Sequence, residues 1–252
     1  MASFSTRPSL NRIMIATALT VSLLGTPAIT FAQSGPMNDE GTPSASATPW
    51  SCDATPGMGM SHGMASTPMA MGDHGSMEHG DYPFDQLYID MMIPHHASII
   101  ALAQAALPRL ADPRLVQMAE TIIATQSTEN EQMAAWREAW YGSAEPDLSE
   151  HSMMAMLEAM PVGTMGEMMQ EMDALTQVAA FCSASDPDLA FIDQVIPHHQ
   201  MAIAVSEIAL EKAAHPEIQT TAERVIVAQQ AEIDELKAIR AERTGGSATP
   251  AA

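Results

Sequence analysis

The sequence predicts an all-α protein, a four-helix bundle built from two copies of one helical hairpin. Three observations carry this. Helix formers dominate, aromatic residues make up only 4% of the chain, and strand-like runs of Val, Thr and Tyr are missing. Residues 85–137 overlay residues 188–240 without a gap, and about 20 aligned positions are identical, far above chance. Each copy contains two stretches with apolar residues at helical spacing, separated by a short Pro-containing turn.

The elements follow in order along the chain. Residues 1–32 read as an export signal. Arg7 and Arg12 precede an apolar stretch from Ile13 to Leu24, and Thr30 and Ala32 are small residues placed for cleavage before Gln33. The stretch is too short for a typical membrane span. The mature protein is therefore expected outside the cytoplasm, in the periplasm, on the cell surface or in the medium, with no stable span after signal removal. Residues 33–80 are rich in Gly, Ser, Pro, Ala and Met and are expected to be disordered. The bundle is expected over 81–241. Its first repeat occupies 84–140, with one helix from Phe84 to about Leu107 and a second begun by Asp112 as N-cap and Pro113 as first helical residue. A Met-rich connector at 149–181 is expected to add one or two helices crossing the bundle. The second repeat occupies 187–240, and residues 242–252 form a short disordered tail. Cys52 and Cys182 are the two cysteines. In an oxidising compartment both a disulfide and a pair of free thiols acting as soft ligands are open.

The formal charge is −21, from 31 acidic and 10 basic side chains. Such a surface repels phosphate backbones, which argues against nucleic-acid partners, and it suits cations. No nucleophilic triad, phosphate loop or nucleotide motif is present.

The polar residues inside the apolar pattern are more informative. Each repeat carries Ile-Pro-His-His with an Asp four residues before the proline. The apolar line of the first helix lands on His95 in one copy and His198 in the other, so one His of each pair faces the core. His96 and His199 are rotated toward the helix flank. The core line of the second helix passes through Gln126 and Glu129 in one copy, and through Gln229 and Glu232 in the other. A carboxylate in a core costs several kcal/mol unless it is paired or liganded. Counting from the hairpin turn at 1.5 Å per residue puts the His and Gln at one height. A pseudo-symmetric polar layer results. Pro94 and Pro197 are expected to kink or bulge the helix, turning Asp90 and Asp193 toward the histidines as fellow ligands or as hydrogen-bond partners that fix the tautomer. The layer either binds a metal or closes on itself as a hydrogen-bonded network that specifies pairing.

The chain has 22 methionines. In residues 57–80, Met58, Met60, Met64, Met69, Met71 and Met77 alternate with His62, His74 and His79. Thioethers are soft ligands that favour Cu(I), imidazole serves Cu(I) and Cu(II), and this tract has no core to fill. It reads as a metal-capturing tail. A second cluster at 151–172 has Met153, Met156 and Met160 at helical spacing, and core packing is the better reading there.

At these residues the chain resembles the DUF305 family of exported bacterial proteins. "YIDMMIPHHASIIALA" with "AETIIATQSTENEQMAAW" supplies one copy of the family pattern, and "FIDQVIPHHQMAIAVS" with "AERVIVAQQAEIDEL" supplies the other. The similarity covers about residues 80–240. It implies a ferritin-like four-helix bundle, and for some members copper binding and copper resistance in the periplasm. Carried over by motif, the candidate ligands are His95, His96, His198 and His199, with Asp90, Asp193, Glu129 and Glu232 beside them. Met91 and Met92 add thioethers in repeat one, where repeat two has Gln194 and Val195.

The expected function is a non-enzymatic, extracytoplasmic metal-binding protein. Copper is the favoured ion, with Cu(I) ahead of Cu(II) and other transition metals open. It would be buffered or handed to another copper-handling protein. A structural bundle with a metal-free polar layer is the alternative. Di-metal oxidase chemistry fits less well, because such centres use four carboxylates with Glu-x-x-His, whereas here the motif is Gln-x-x-Glu.

Overall fold

Residues 50–53 and 82–245 are described in the computed structural model of the chain. Among them are seven helices and no strand: α1 (Phe84–Ala106), α2 (Pro113–Tyr141), α3 (Glu150–Ala159), α4 (Met165–Met172), α5 (Ala174–Ser183), α6 (Pro187–Lys212) and α7 (Pro216–Thr244). The all-α bundle of two hairpins is as the repeat predicts. α1 pairs with α2 and α6 with α7, and the hairpins join mainly through α1 against α6. The connector holds three short helices rather than one or two, and they pack chiefly on α1. The extra break has a local cause, since Asp173 ends α4 and caps α5 by accepting from the Thr176 N–H. The export-signal reading, the expected disorder over 33–49 and 54–80, and the tail over 246–252 lie outside the described residues, while the first residues of the tail expected at 242–252 are helical, because α7 runs on to Thr244 before Gly245 ends it.

Helix starts follow the sequence. Asp112 accepts from the Arg114 N–H at the start of α2, and Asp186 accepts from the Leu189 N–H at the start of α6. Helices α2 and α7 end on Gly142 and Gly245 at φ 82° and 73°, a conformation that favours glycine. Both α1 and α6 run through their internal prolines, and no π-helical bulge interrupts either one.

Two carboxylates tie the hairpins together. Asp85 near the start of α1 accepts from the Ala214 and His215 N–H groups in the α6–α7 turn, at 3.0 and 2.8 Å. Asp188 near the start of α6 accepts from the Ala111 and Asp112 N–H groups in the α1–α2 turn, at 2.8 and 3.2 Å. These positions are equivalent in the repeat, so each hairpin caps the turn of the other. Both carboxylates are buried, and each satisfies backbone donors that would otherwise be orphaned.

The apolar core divides into two halves. One gathers the first half of α1, the second half of α6 and the start of α7 with Met133, Met156, Met160 and Met168. The other gathers the second half of α1, the first halves of α2 and α6, and the end of α7. Of the connector methionines at helical spacing, Met156 and Met160 are buried and Met153 is half-buried; Met168 is also buried, whereas Met154 and Met169 are exposed. Cys52 and Cys182 form a disulfide, and the Trp50 N–H donates to Gln104 Oε1 at 3.3 Å. Residues 50–53, within the segment expected to lack structure, are therefore fixed to the bundle.

Asp90 and Asp193 do not meet the histidines, contrary to expectation. Asp90 is fully buried against Arg137, which also donates to the Ser143 carbonyl at 2.8 Å. Asp193 is half exposed and pairs with Arg240 at 3.1 Å. Unbroken helix keeps residues i and i+5 on different faces, so neither Asp is turned toward its His. The two pairs are equivalent by repeat but differ in burial, which sets their energetics. Breaking a buried pair leaves a charge without a partner and costs about 3–5 kcal/mol, whereas an exposed pair contributes about 0–1 kcal/mol. Arg137→Met should therefore lower the unfolding free energy in urea by several kcal/mol. Arg240→Met should change it by less than about 1 kcal/mol.

Candidate metal centre

Between the two apolar halves lies a polar layer. It is formed by His95, His96 and Ser98 of α1, His198 and His199 of α6, Gln126 and Glu129 of α2, and Gln229 and Glu232 of α7. All four histidines are fully buried. The two members of each pair divide the work. His95 and His198 face each other across the hairpin interface, with ring centroids 3.6 Å apart and planes inclined by 31°. His96 and His199 turn to the second helix of their own hairpin, where Nε2 meets Glu129 Oε2 at 3.0 Å and Glu232 Oε2 at 2.7 Å. The flank position read from the sequence is thus a buried one, and the pairing across the hairpin is His to Glu rather than His to Gln.

Hydrogen bonding assigns the tautomers. A carboxylate only accepts, so Nε2 of His96 and His199 carries the proton. His198 Nε2 lies 2.9 Å from the His95 carbonyl, which also only accepts, so Nε2–H donates there. The Ser98 hydroxyl is spent on the Glu171 carbonyl at 2.5 Å. This leaves Nδ1 of His96, His198 and His199, and both ring nitrogens of His95, buried without a partner. Burial holds His95 and His198 well below the usual imidazole range, and the neighbouring histidines add to the effect. Both rings are therefore neutral at physiological pH. A neutral imidazole with one nitrogen fixed by an oxygen acceptor and the other bare is the state in which histidine binds a metal.

Gln126 and Gln229 are buried in the layer, and Oε1 of each has no partner. Met91 and Met92 are fully buried in the adjoining apolar half. Met91 precedes His95 by about one helical turn. The layer's side chains do not converge on one point: among the described residues no group of three or more His, Cys, Asp or Glu is arranged to hold a metal ion. What the arrangement supplies is unpartnered nitrogen. Each buried, unsatisfied polar atom costs about 1–3 kcal/mol, so a cation accepted by several of these nitrogens would offset a standing penalty. Met58, Met60, His62, Met64, Met69, Met71, His74, Met77 and His79 lie outside the described residues.

Arg137, Ser98 and Asn130, whose Nδ2 donates to the Ile93 carbonyl at 3.1 Å, were not singled out in the sequence. Arg137 had a signal there, because Arg240 stands at the equivalent position of the second copy. Ser98 had none, since Met201 occupies its place in the other repeat.

Residues 85–240 match the family described as "Domain of unknown function (DUF305)". The chain belongs to the DUF305 family. Among solved structures, this DUF305 chain is similar to CopM in the Cu(I)-bound form, at 29% identity and a TM-score of 0.51, over 64% of this chain and 98% of that one. It shares its fold with a DUF305 protein from Streptomyces coelicolor described as secreted, at 19% identity and a TM-score of 0.52, over 67% of this chain and 98% of the other. An uncharacterized protein of Acanthamoeba polyphaga mimivirus is 38% identical over 56 residues, 22% of this chain and 37% of the viral protein. The match thus spans little more than a third of that relative's length. No helix among the described residues is long and apolar enough to cross a membrane.

The neutral, buried imidazoles have a consequence for the metal-free protein. His95 and His198 bind protons less readily folded than unfolded, so the unfolded state holds more protons once pH falls below the unfolded value near 6.5. Unfolding free energy should be flat above about pH 7 and fall as pH drops through 6 toward 5, with a slope of up to about 2.7 kcal/mol per pH unit for the two groups. Urea titrations of metal-free protein at stepped pH measure this. His95→Phe with His198→Phe should flatten the curve over that window.

Proposed function

We propose that this protein is an extracytoplasmic copper-binding protein that holds the ion at the histidine layer and buffers it or passes it on, without catalytic turnover. One observation carries the reading: four fully buried imidazoles, two of them stacked 3.6 Å apart, with five ring nitrogens that lack any partner, and the other two rings held by carboxylates through Nε2. A purely structural network would spend those nitrogens on donors. The residues that would hold copper are His95, His96, His198 and His199, with Met91 and Met92 as neighbouring thioethers. Imidazole and thioether together suit Cu(I), and neutral imidazole also suits Cu(II).

Further support comes from the likeness to CopM, whose structure is described in a Cu(I)-bound form. The Met/His tract at 57–80 adds soft donors to the same chain. The leader at 1–32 and the Cys52–Cys182 disulfide both fit an oxidising compartment outside the cytoplasm. The carboxylates favour the non-enzymatic reading. Asp90 and Asp193 pair with arginines, so Glu129 and Glu232, each accepting from a histidine through one oxygen, supply two of the four carboxylates that a carboxylate-bridged two-metal centre uses.

Metal-free protein titrated with Cu(I) against a chromogenic chelator should show two classes of site. Replacing His95, His96, His198 and His199 together by alanine should abolish one class. Replacing the tract's methionines and histidines should abolish the other. Copper at about 100 times Kd should stabilise the folded state by about 2.7 kcal/mol. Unchanged affinity in both variants would make the reading wrong.

A further inference from the structure

The histidine layer has two unlike sides. On the α1 side it is closed by the connector: α3, α4 and α5 lie on α1, and the Ser98 hydroxyl donates to the Glu171 carbonyl. On the other side α2 and α7 scarcely touch, and a cleft of about 710 Å³ opens between them. Its floor is the layer itself. Gln126 and Gln229 line it, 2% and 3% exposed, each with an Oε1 that has no partner. Glu129 and Glu232 line it too, with side chains 15% and 17% exposed. One oxygen of each carboxylate accepts from a buried imidazole, and the same side chain reaches the cleft.

The rim is built from small or singly exposed side chains. Ala124 and Ala228 are exposed, and Val227 is 72% exposed. In a closed four-helix bundle this seam would hold interlocking apolar side chains. Here small residues leave the space between α2 and α7 unfilled directly over a layer of unsatisfied polar atoms. Charge adds a direction. Glu129, Glu232 and Glu223 line the cleft with one guanidinium, that of Arg224, which donates to Gln132 and Thr221. A cleft with net negative charge and low-dielectric walls concentrates cations.

We infer that the α2–α7 cleft is the port through which a hydrated metal cation reaches the histidine layer, with Glu129 and Glu232 as the hard oxygen donors that meet it first. The inference rests on the copper-binding reading and assigns its route. Carboxylate and amide oxygens suit an ion still carrying water, whereas the imidazoles beneath suit one that has shed it. Each glutamate touches both the cleft and the layer, so the path from carboxylate to imidazole crosses no apolar gap.

The test is kinetic. The full chain carrying the tract substitutions, so that the layer alone reports, is loaded with Cu(II) and mixed with excess chromogenic chelator. Ala124→Phe with Ala228→Phe narrows the rim without touching the layer. Release should slow at least tenfold while equilibrium affinity stays within twofold, because a narrowed port slows uptake and release alike. A second variant, Glu223→Lys, reverses one exposed rim charge. It should slow uptake severalfold at low ionic strength, and the difference should vanish at high salt. Unchanged rates in both variants, with copper still bound, overturn the port and leave the copper site standing. Absence of binding in the parent overturns both.

Discussion

Two imidazole rings stacked at the centre of the bundle are the constraint around which the rest is arranged. His95 and His198 meet at a height where both hairpins offer fully buried polar side chains from α1 and α6. Each ring is neutral because water is excluded, and water is excluded because apolar layers lie above and below. The hairpins cannot slide past each other without moving an imidazole into hydrocarbon, where a bare polar nitrogen is costly. The same contact therefore fixes register and concentrates unsatisfied donors and acceptors at one level.

The repeat builds its symmetry with two devices and breaks it with others. Asp85 and Asp188 cap the opposite hairpin's turn, and the His–Glu pairs recur with the same spacing on both sides. The departures are equally specific. The connector covers α1 far more than α6, so Asp90 and Arg137 are sealed in while Asp193 and Arg240 remain wet. Ser98 replaces the second repeat's Met201 and spends its hydroxyl on the connector's backbone. A symmetric ancestor of two hairpins would have had two equivalent faces. The connector converts one into a floor and leaves the other open.

Much of this was readable from residue spacing. The overlay of the two copies shows the hairpins, and helical periodicity identifies His95, His198, Gln126 and Gln229 as inward-facing. The caps at Asp112 and Asp186 follow from a carboxylate placed one residue before proline. What periodicity missed has a common cause. It treats a helix as facing one direction, but α1 is enclosed by α2, α6 and the connector at once. His96 and His199 look peripheral when the core is taken to be one line, and they are buried because a second helix covers that flank. Asp90 was drawn toward the histidines by its distance from proline. Its true partner, Arg137, is 47 residues away in sequence, a relation that only the fold supplies.

The disulfide changes the topology of the Met/His tract. Cys52 is joined to Cys182 at the end of α5, and the chain re-enters the described bundle at Tyr82. The methionines and histidines of residues 57–80 therefore sit in a covalent loop with both ends on the bundle, rather than on a tail with one free end. A segment tethered at both ends meets a site on its own chain at an effective concentration set by the tether, not by the bulk solution. On the copper-binding reading, exchange of an ion between the tract and the layer is then intramolecular and independent of how dilute the protein is. Opening one sulfur–sulfur bond would release that coupling while leaving every ligand in place.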